Sequence, residues 1–237
     1  ERFMTYAAIT VEHIDGVDII TLNRPDSLNA IDNTLKAELM DAVCQANIPS
    51  SKTRCMLITG AGRGFCSGAD LVSSIANGPV DAGTTLLTTY NPLIIEMARS
   101  KVPIVCAING IAAGAGMSIA LAGDIVIAGS SAIFLQAFIN IGLVPDAGSS
   151  YILPRLIGSA RANAMMLLGE KIDAKTAEDW GLVYKTVPDD ALMGEAMKIA
   201  LKLANGPSQA YGAIRRMSRE SQSNSLSEQL SLEAESQ

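Results

Sequence analysis

Apolar, strand-like runs alternate with segments of helical spacing along the middle of this chain, and that alternation restricts the fold more than any other feature. RCMLITG (54–60) reads as a buried strand ending at Gly60, and VPIVCAING (102–110) and DIVIAGS (124–130) repeat the type. Ahead of the first, Ile31, Leu35, Leu39, Ala42 and Val43 recur at helical spacing, and between the strands lie the helical segments LLTTYNPLIIEMARS (86–100) and GMSIALAG (116–123). Strand and helix in turn point to parallel strands with crossover helices, an α/β core. Ahead of this core, AAITVEHIDGVDIITLNRP (7–25) reads as a hairpin closed at Asp15-Gly16, a dipeptide suited to positive φ angles.

After Gly148 the pattern is almost wholly helical. Glu195–Ala204 and Gln209–Arg219 read as two surface helices, separated where Gly206 stops one and Pro207 starts the next. This divides the chain into a core, 1–190, and a C-terminal helical region, 191–237. The Gly/Thr-rich stretch GPVDAGTTLL (78–87) reads as a loop bordering a ligand site.

Composition removes several function classes. With 237 residues, 49% hydrophobic and 18% charged, the chain can bury a sizeable core. A net charge of -6 and 4% aromatic residues argue against a nucleic-acid surface, which is normally basic and offers stacking partners. No apolar run approaches the roughly 20 residues that span a bilayer, and the first residues carry no signal-peptide pattern, so a cytoplasmic location without membrane attachment is expected. Cys44, Cys55, Cys66 and Cys106 show no CxxC pairing, and His13 is the sole histidine. Reduced, packed thiols are expected, and no metal site.

Two glycine turns carry the chemistry: TGAGRGFCSGADL (59–71) and INGIAAGAGMSIALAGD (108–124). Each follows a strand and precedes helical residues. Small residues at Gly68, Ala69, Gly114, Ala115 and Gly116 let a ligand approach the main chain, whose N–H groups at a helix start can point at one oxyanion. The alternative is that they only permit close packing. A dinucleotide site fits poorly, because Gly60, Gly62 and Gly64 follow GxGxG and Ile119 stands where a third glycine belongs in the second turn. GMSIA (116–120) approaches a nucleophile elbow at Ser118, but no histidine follows it.

These turns, with LNRPDSLNAID (22–32), IGLVPDAGSSYILPRLIG (141–158) and AKTAEDWGLVYKTVP (174–188), resemble the signature blocks of the crotonase superfamily, the enoyl-CoA hydratase/isomerase family. The resemblance implies a ClpP/crotonase-like fold of ββα units with C-terminal helices, an acyl-CoA substrate, no cofactor beyond the coenzyme A of that substrate, and a homotrimer or dimer of trimers. It also implies a further helix beyond residue 237. By position, Ala69 and Ala115 would supply the two N–H groups that hold the thioester oxygen. Ser27, Leu28 and Ala30 match the segment lining the nucleotide end of coenzyme A, Asp70 and Leu71 follow the first donor, and Gly68, Gly116, Phe138 and Pro145 complete the implied substrate site. Arg24 could reach a phosphate or play a structural part at the hairpin.

The departure from the family pattern is as informative as the match. Its hydratases use two glutamates, and the corresponding positions are Ser118 and Phe138, neither of which removes a proton at neutral pH. Asp146 remains, in a block that resembles the ring-1,2-epoxyphenylacetyl-CoA and dienoyl-CoA isomerases. Apolar neighbours Phe138, Ile141, Leu143 and Val144 are expected to raise its pKa. The competing expectation is that Asp146 caps the helix starting near Gly148. Isomerisation is the leading reading, with a hydratase of unusual residue set, chemistry like that of 4-chlorobenzoyl-CoA dehalogenase, and a non-catalytic acyl-CoA binder as alternatives.

Overall fold

A computed structural model describes residues 6–71 and 81–237. The hairpin forms as expected: β1 (Ile9–Ile14) pairs antiparallel with β2 (Val17–Leu22), and Asp15 and Gly16 turn the corner at φ 48° and 83°. Beyond it the strands separate into two sheets. β3 (Cys55–Gly60), β5 (Ile104–Ile108), β7 (Ile125–Gly129) and β10 (Lys185–Val187) extend the first sheet in parallel, in the order β1-β2-β3-β5-β7-β10. The short strands β4 (Gly64–Cys66), β6 (Ile111–Ala113), β8 (Ile133–Leu135) and β9 (Lys171–Asp173) form the second, in the order β4-β6-β8-β9.

Each repeat therefore sends one strand into the large sheet and the next into the small one. In the clearest copy, β5 leads to β6 and then to α4 (Ala115–Leu121), a ββα unit. Every residue of β3 and β5 is buried, which is why these runs lack the alternation of a half-exposed strand.

One face of the large sheet packs under α1 (Asn33–Asn47) and α3 (Asn91–Arg99), with Leu35, Leu39, Val43, Leu93 and Met97 fully buried. Asp32 starts α1 by accepting a hydrogen bond from Leu35 N at 2.8 Å. The other face is covered by α7 (Leu192–Ala204), whose Leu192, Ala196, Ala200 and Ala204 lie against Val17, Leu57, Val105 and Ile127. This helix belongs to the core, contrary to its sequence reading as a surface helix. Its inner stripe is mostly alanine, which contributes little to a hydrophobic pattern but lets the helix sit close to the sheet. The expected boundary after residue 190 thus falls just ahead of a helix built into the core.

The two following helices, α8 (Ser208–Glu220) and α9 (Leu226–Ser236), are more exposed. Arg215 anchors α8 by pairing with Asp124 and donating to the carbonyls of Met97 and Ser100. Of the expected loop at 78–87, residues 78–80 lie outside the described residues. The rest is helical: α2 (Ala82–Thr85) runs through a π-turn, Leu86–Tyr90, into α3. Among the described residues, no helix is long and apolar enough to cross a membrane.

Candidate active site

The first glycine turn leaves the end of β4 and forms a parallel bridge with Ile31. Ile31 N donates to Gly68 O at 2.8 Å, and Asp70 N donates to Ile31 O at 3.0 Å. Because residues 68 and 70 face that partner, the N–H of Ala69 lies on the opposite edge, and no described residue accepts from it. The second turn reaches the same place. Gly114 N donates to Leu135 O at 2.9 Å, and Ala115 opens α4, so its N–H is one of the unpaired donors of a helix start.

Gly68 shows how close the two turns come. A Cβ placed there would stand 2.9 Å from Ala113 O and 3.7 Å from Ala115 N, and its φ of 98° is one that side chains disfavour. Two main-chain donors without an acceptor among the described residues, from Ala69 and Ala115, therefore come from adjacent segments. Gly116 has a different reason for being small. A Cβ at that position would stand 2.5 Å from Cys66 O and 2.6 Å from its Sγ, so Gly116 serves the packing of α4 on β4. Cys66 is buried and free, with its thiol pushed up to about 12 by burial.

Asp146 precedes α5 (Ser149–Leu168) but does not cap it. The N-cap is Gly148, with no side-chain hydrogen bond, and the chain bends there through Ala147 at φ 47° and Gly148 at 84°. It is the main-chain carbonyl of Asp146 that is held, by Ser118 Oγ at 3.1 Å, Ser149 N at 3.0 Å and Ser149 Oγ at 2.9 Å. Among the described residues, its Oδ1 is buried without a hydrogen-bond partner. Burial pushes its pKa up from 3.8 to about 6. Ser118 stands where the resemblance expects a hydratase glutamate and instead positions the backbone of Asp146.

The expected source of that burial is only partly correct. Phe138 is buried, 3.7 Å from where a Cβ of Gly114 would lie, but Ile141 and Val144 face solvent, Val144 at 77% exposure. Asp146 is enclosed from the other side of a cleft of about 720 Å³, whose wall includes Ile31, Met40, Leu86, Tyr90 and Pro92. Ala69, Leu71 and Leu143 line the same cleft. A second hollow of about 570 Å³, between Arg54, Lys101 and Arg219, has no carboxylate or imidazole in its lining among the described residues.

Three further titratable residues line this cleft: Asp32, already paired with Arg24, Tyr90, which the sequence offers only as an aromatic neighbour, and Lys36. Tyr90 is 5% exposed, and its phenol is pushed up by burial first and by the charge of Asp146 second. Lys36, on α1, is 6% exposed, with Nζ 4.5 Å from the centroid of the Tyr90 ring. Burial lowers its pKa, opposed by the charge of Asp32. A lysine between Leu35 and Leu39 was the available signal, since both leucines belong to the buried stripe.

The remaining candidates form a strap behind the first turn. Ser67 N donates to Leu28 O at 2.9 Å and Ser67 Oγ to Ser27 O at 3.1 Å, while Arg24 donates to the carbonyl of Ala30. Leu28 takes a positive φ of 52° to make the bend. Arg24 also pairs with Asp70 at 3.0 Å and Asp32 at 3.3 Å, the structural part of its two expected roles. Pro145 is half-buried beside Asp146.

Residues 12–237 match the family model described as enoyl-CoA hydratase/isomerase. The chain belongs to the enoyl-CoA hydratase/isomerase family. A 1,2-epoxyphenylacetyl-CoA isomerase of Escherichia coli is 42% identical over 232 residues, covering 96% of this chain and 88% of that protein. Among solved structures, an enoyl-CoA hydratase of Bacillus anthracis superposes with a TM-score of 0.91 at 31% identity, covering 97% of this chain and 89% of that one. An enoyl-CoA hydratase of Polaromonas sp. JS666 does so with a TM-score of 0.90 at 32% identity, covering 97% and 90%. The α/β fold with C-terminal helices is thus the crotonase fold.

Proposed function

We propose that this family member is an enoyl-CoA isomerase, with Asp146 moving a proton between two carbons of the acyl chain. The observation that carries the reading is the Asp146 carboxylate, without a cap or ion pair among the described residues, in a cleft shared with Ala69, whose neighbour Gly68 lies against the main-chain donor of Ala115. The thioester oxygen would accept from both main-chain N–H groups. As Asp146 removes a proton, the electron pair moves into the conjugated system and negative charge grows on that oxygen. Each donor strengthens as the charge develops, which is worth about 2.7 to 4 kcal/mol per donor in comparable sites. The protonated acid then returns the proton to a different carbon, the double bond shifts, and no atom is gained or lost.

With a pKa of about 6, Asp146 is about 90% ionised at pH 7, yet is a stronger base than an aspartate in water. Hydration normally draws on a pair of carboxylates, and the cleft's other carboxylate, Asp32, is already engaged by Leu35 N and Arg24, while Ser118 is fully buried and Phe138 is hydrocarbon. The name of the Escherichia coli relative, an isomerase of an acyl-CoA, supports the same chemistry. In this proposal Ser27, Leu28 and Ala30 carry the nucleotide end of coenzyme A, Gly68 lets the thioester reach the main chain, and Leu71, Phe138 and Pro145 wall the acyl group. Asp70 and Gly116, engaged by Arg24 and Cys66, act through the shape of the turns.

The test is incubation of 3-enoyl-CoA thioesters in deuterated water, followed by mass spectrometry and NMR. A shifted double bond without the mass of an added water is expected, and Asp146→Asn should slow it by about 10²- to 10⁴-fold. A hydrated product, or equal turnover by the variant, would reject isomerisation by Asp146.

A further inference from the structure

Lys36 is the only charged residue in the buried stripe of α1, a stripe otherwise made of Leu35, Leu39, Ala42, Val43 and Ala46. An ammonium on the wall of a cleft needs acceptors for its three donors, and because no described residue accepts a hydrogen bond from this one or pairs with it within 4.0 Å, they are left to whatever fills the cleft. Among the described residues its close partner is the face of Tyr90. The acid one turn earlier, Asp32, is already committed, with Oδ1 accepting from Leu35 N and Oδ2 facing Arg24.

A methionine or leucine would fill this position at lower cost to the fold, since a cation half-satisfied by a ring pays for desolvation without a matching ion pair. Lys36 and Tyr90 both line the cleft of Asp146, so a ligand in that cleft meets the ammonium directly. A carboxylate would supply the missing charge and up to two acceptor oxygens, whereas a neutral oxygen supplies acceptors alone.

We propose that Lys36 is a specificity-determining residue that receives a carboxylate at the far end of the acyl group, making the substrates coenzyme A monothioesters of dicarboxylic acids. This rests on the reading of the cleft as an acyl-CoA site and adds to it the chemistry of the distal end. The ring of Tyr90 fixes the ammonium from one side and leaves its remaining donors to the ligand.

The test uses saturated thioesters that bind without reacting: adipoyl-CoA, hexanoyl-CoA and 6-hydroxyhexanoyl-CoA, measured by calorimetry on the wild type and on Lys36→Met. The wild type should prefer adipoyl-CoA over hexanoyl-CoA by at least about tenfold, and the preference should fall to within about twofold in the variant. A thermal melt of the variant establishes that it folds, and the wild-type preference stands as a measurement even if it does not. Equal wild-type affinity for adipoyl-CoA and hexanoyl-CoA, or a preference unchanged in the variant, would overturn the assignment while leaving the acyl-CoA site intact. 6-Hydroxyhexanoyl-CoA binding as tightly as adipoyl-CoA would overturn the carboxylate. Failure of all three to bind the wild type would overturn the acyl-CoA reading and the Lys36 assignment together.

Discussion

Replacing Asp146 with asparagine should stabilise the fold near neutral pH while removing the proposed base. In the folded protein the carboxyl titrates at about 6 rather than 3.8, so the folded state holds its proton over a range in which the unfolded chain has lost it. Below pH 3.8 the group is protonated in both states and costs nothing. Between pH 3.8 and about 6 stability falls as pH rises, and above about 6 the full cost is present and constant. The difference corresponds to about 3 kcal/mol at the limit of complete transfer. Asp146 keeps some contact with the open cleft, and water screening there reduces the cost to about 2 kcal/mol. Asparagine has nearly the same shape and no charge to desolvate. Urea unfolding of both proteins at one concentration, from pH 4 to pH 8, should therefore show curves that nearly coincide at pH 4 and separate by about 2 kcal/mol above pH 6.5, with the variant more stable. A variant that is equally stable or less stable at pH 7.5, or an advantage that does not shrink on acidification, would refute burial as the cause of the shift.

Two further outcomes follow from the same geometry. The kcat/KM of the wild type should rise with pH along a limb centred near 6, as the free enzyme's base ionises, and a profile flat from pH 5 to pH 8 would exclude Asp146 from that role. Gly68→Ala should cost about 1 to 3 kcal/mol in unfolding experiments and reduce turnover further, because the new methyl meets Ala113 O in a backbone conformation at φ 98°; an unchanged melting temperature would show that the turns are looser than described.

The parts of the fold legible in the sequence are those in which one residue's own chemistry dictates the outcome. Asp15-Gly16 can close a tight hairpin, and a short, mostly apolar run ending in glycine, such as CMLITG, reads as a strand with both faces covered. The two glycine turns were legible as well, although Gly68 and Gly116 look alike in the sequence and are small for different reasons: one faces the second turn's backbone, the other Cys66. What was not legible depends on partners far along the chain. The alanine stripe of α7 carries too little hydrophobicity to announce that it covers half the large sheet. Ile141, Leu143 and Val144 read as a shell around Asp146, but Ile141 and Val144 face outward, and Leu143 shares the enclosure with Tyr90 and the helices before it.

Ser118 shows how the site and its scaffold are coupled. Where the resemblance expects a glutamate in hydratases, the Ser118 hydroxyl donates to the carbonyl of Asp146, 28 residues further on. With two donors from Ser149 on the same carbonyl, the backbone is fixed where Ala147 and Gly148 bend it, and the side chain is aimed into the cleft rather than back at the helix start. An aspartate before a helix ordinarily lowers its energy by capping, which would also hold its pKa down. Here Gly148 takes the cap position and the carboxylate is denied that partner, so burial alone sets its proton affinity. A serine where the resemblance expects an acid thus helps to hold the backbone of Asp146 in place.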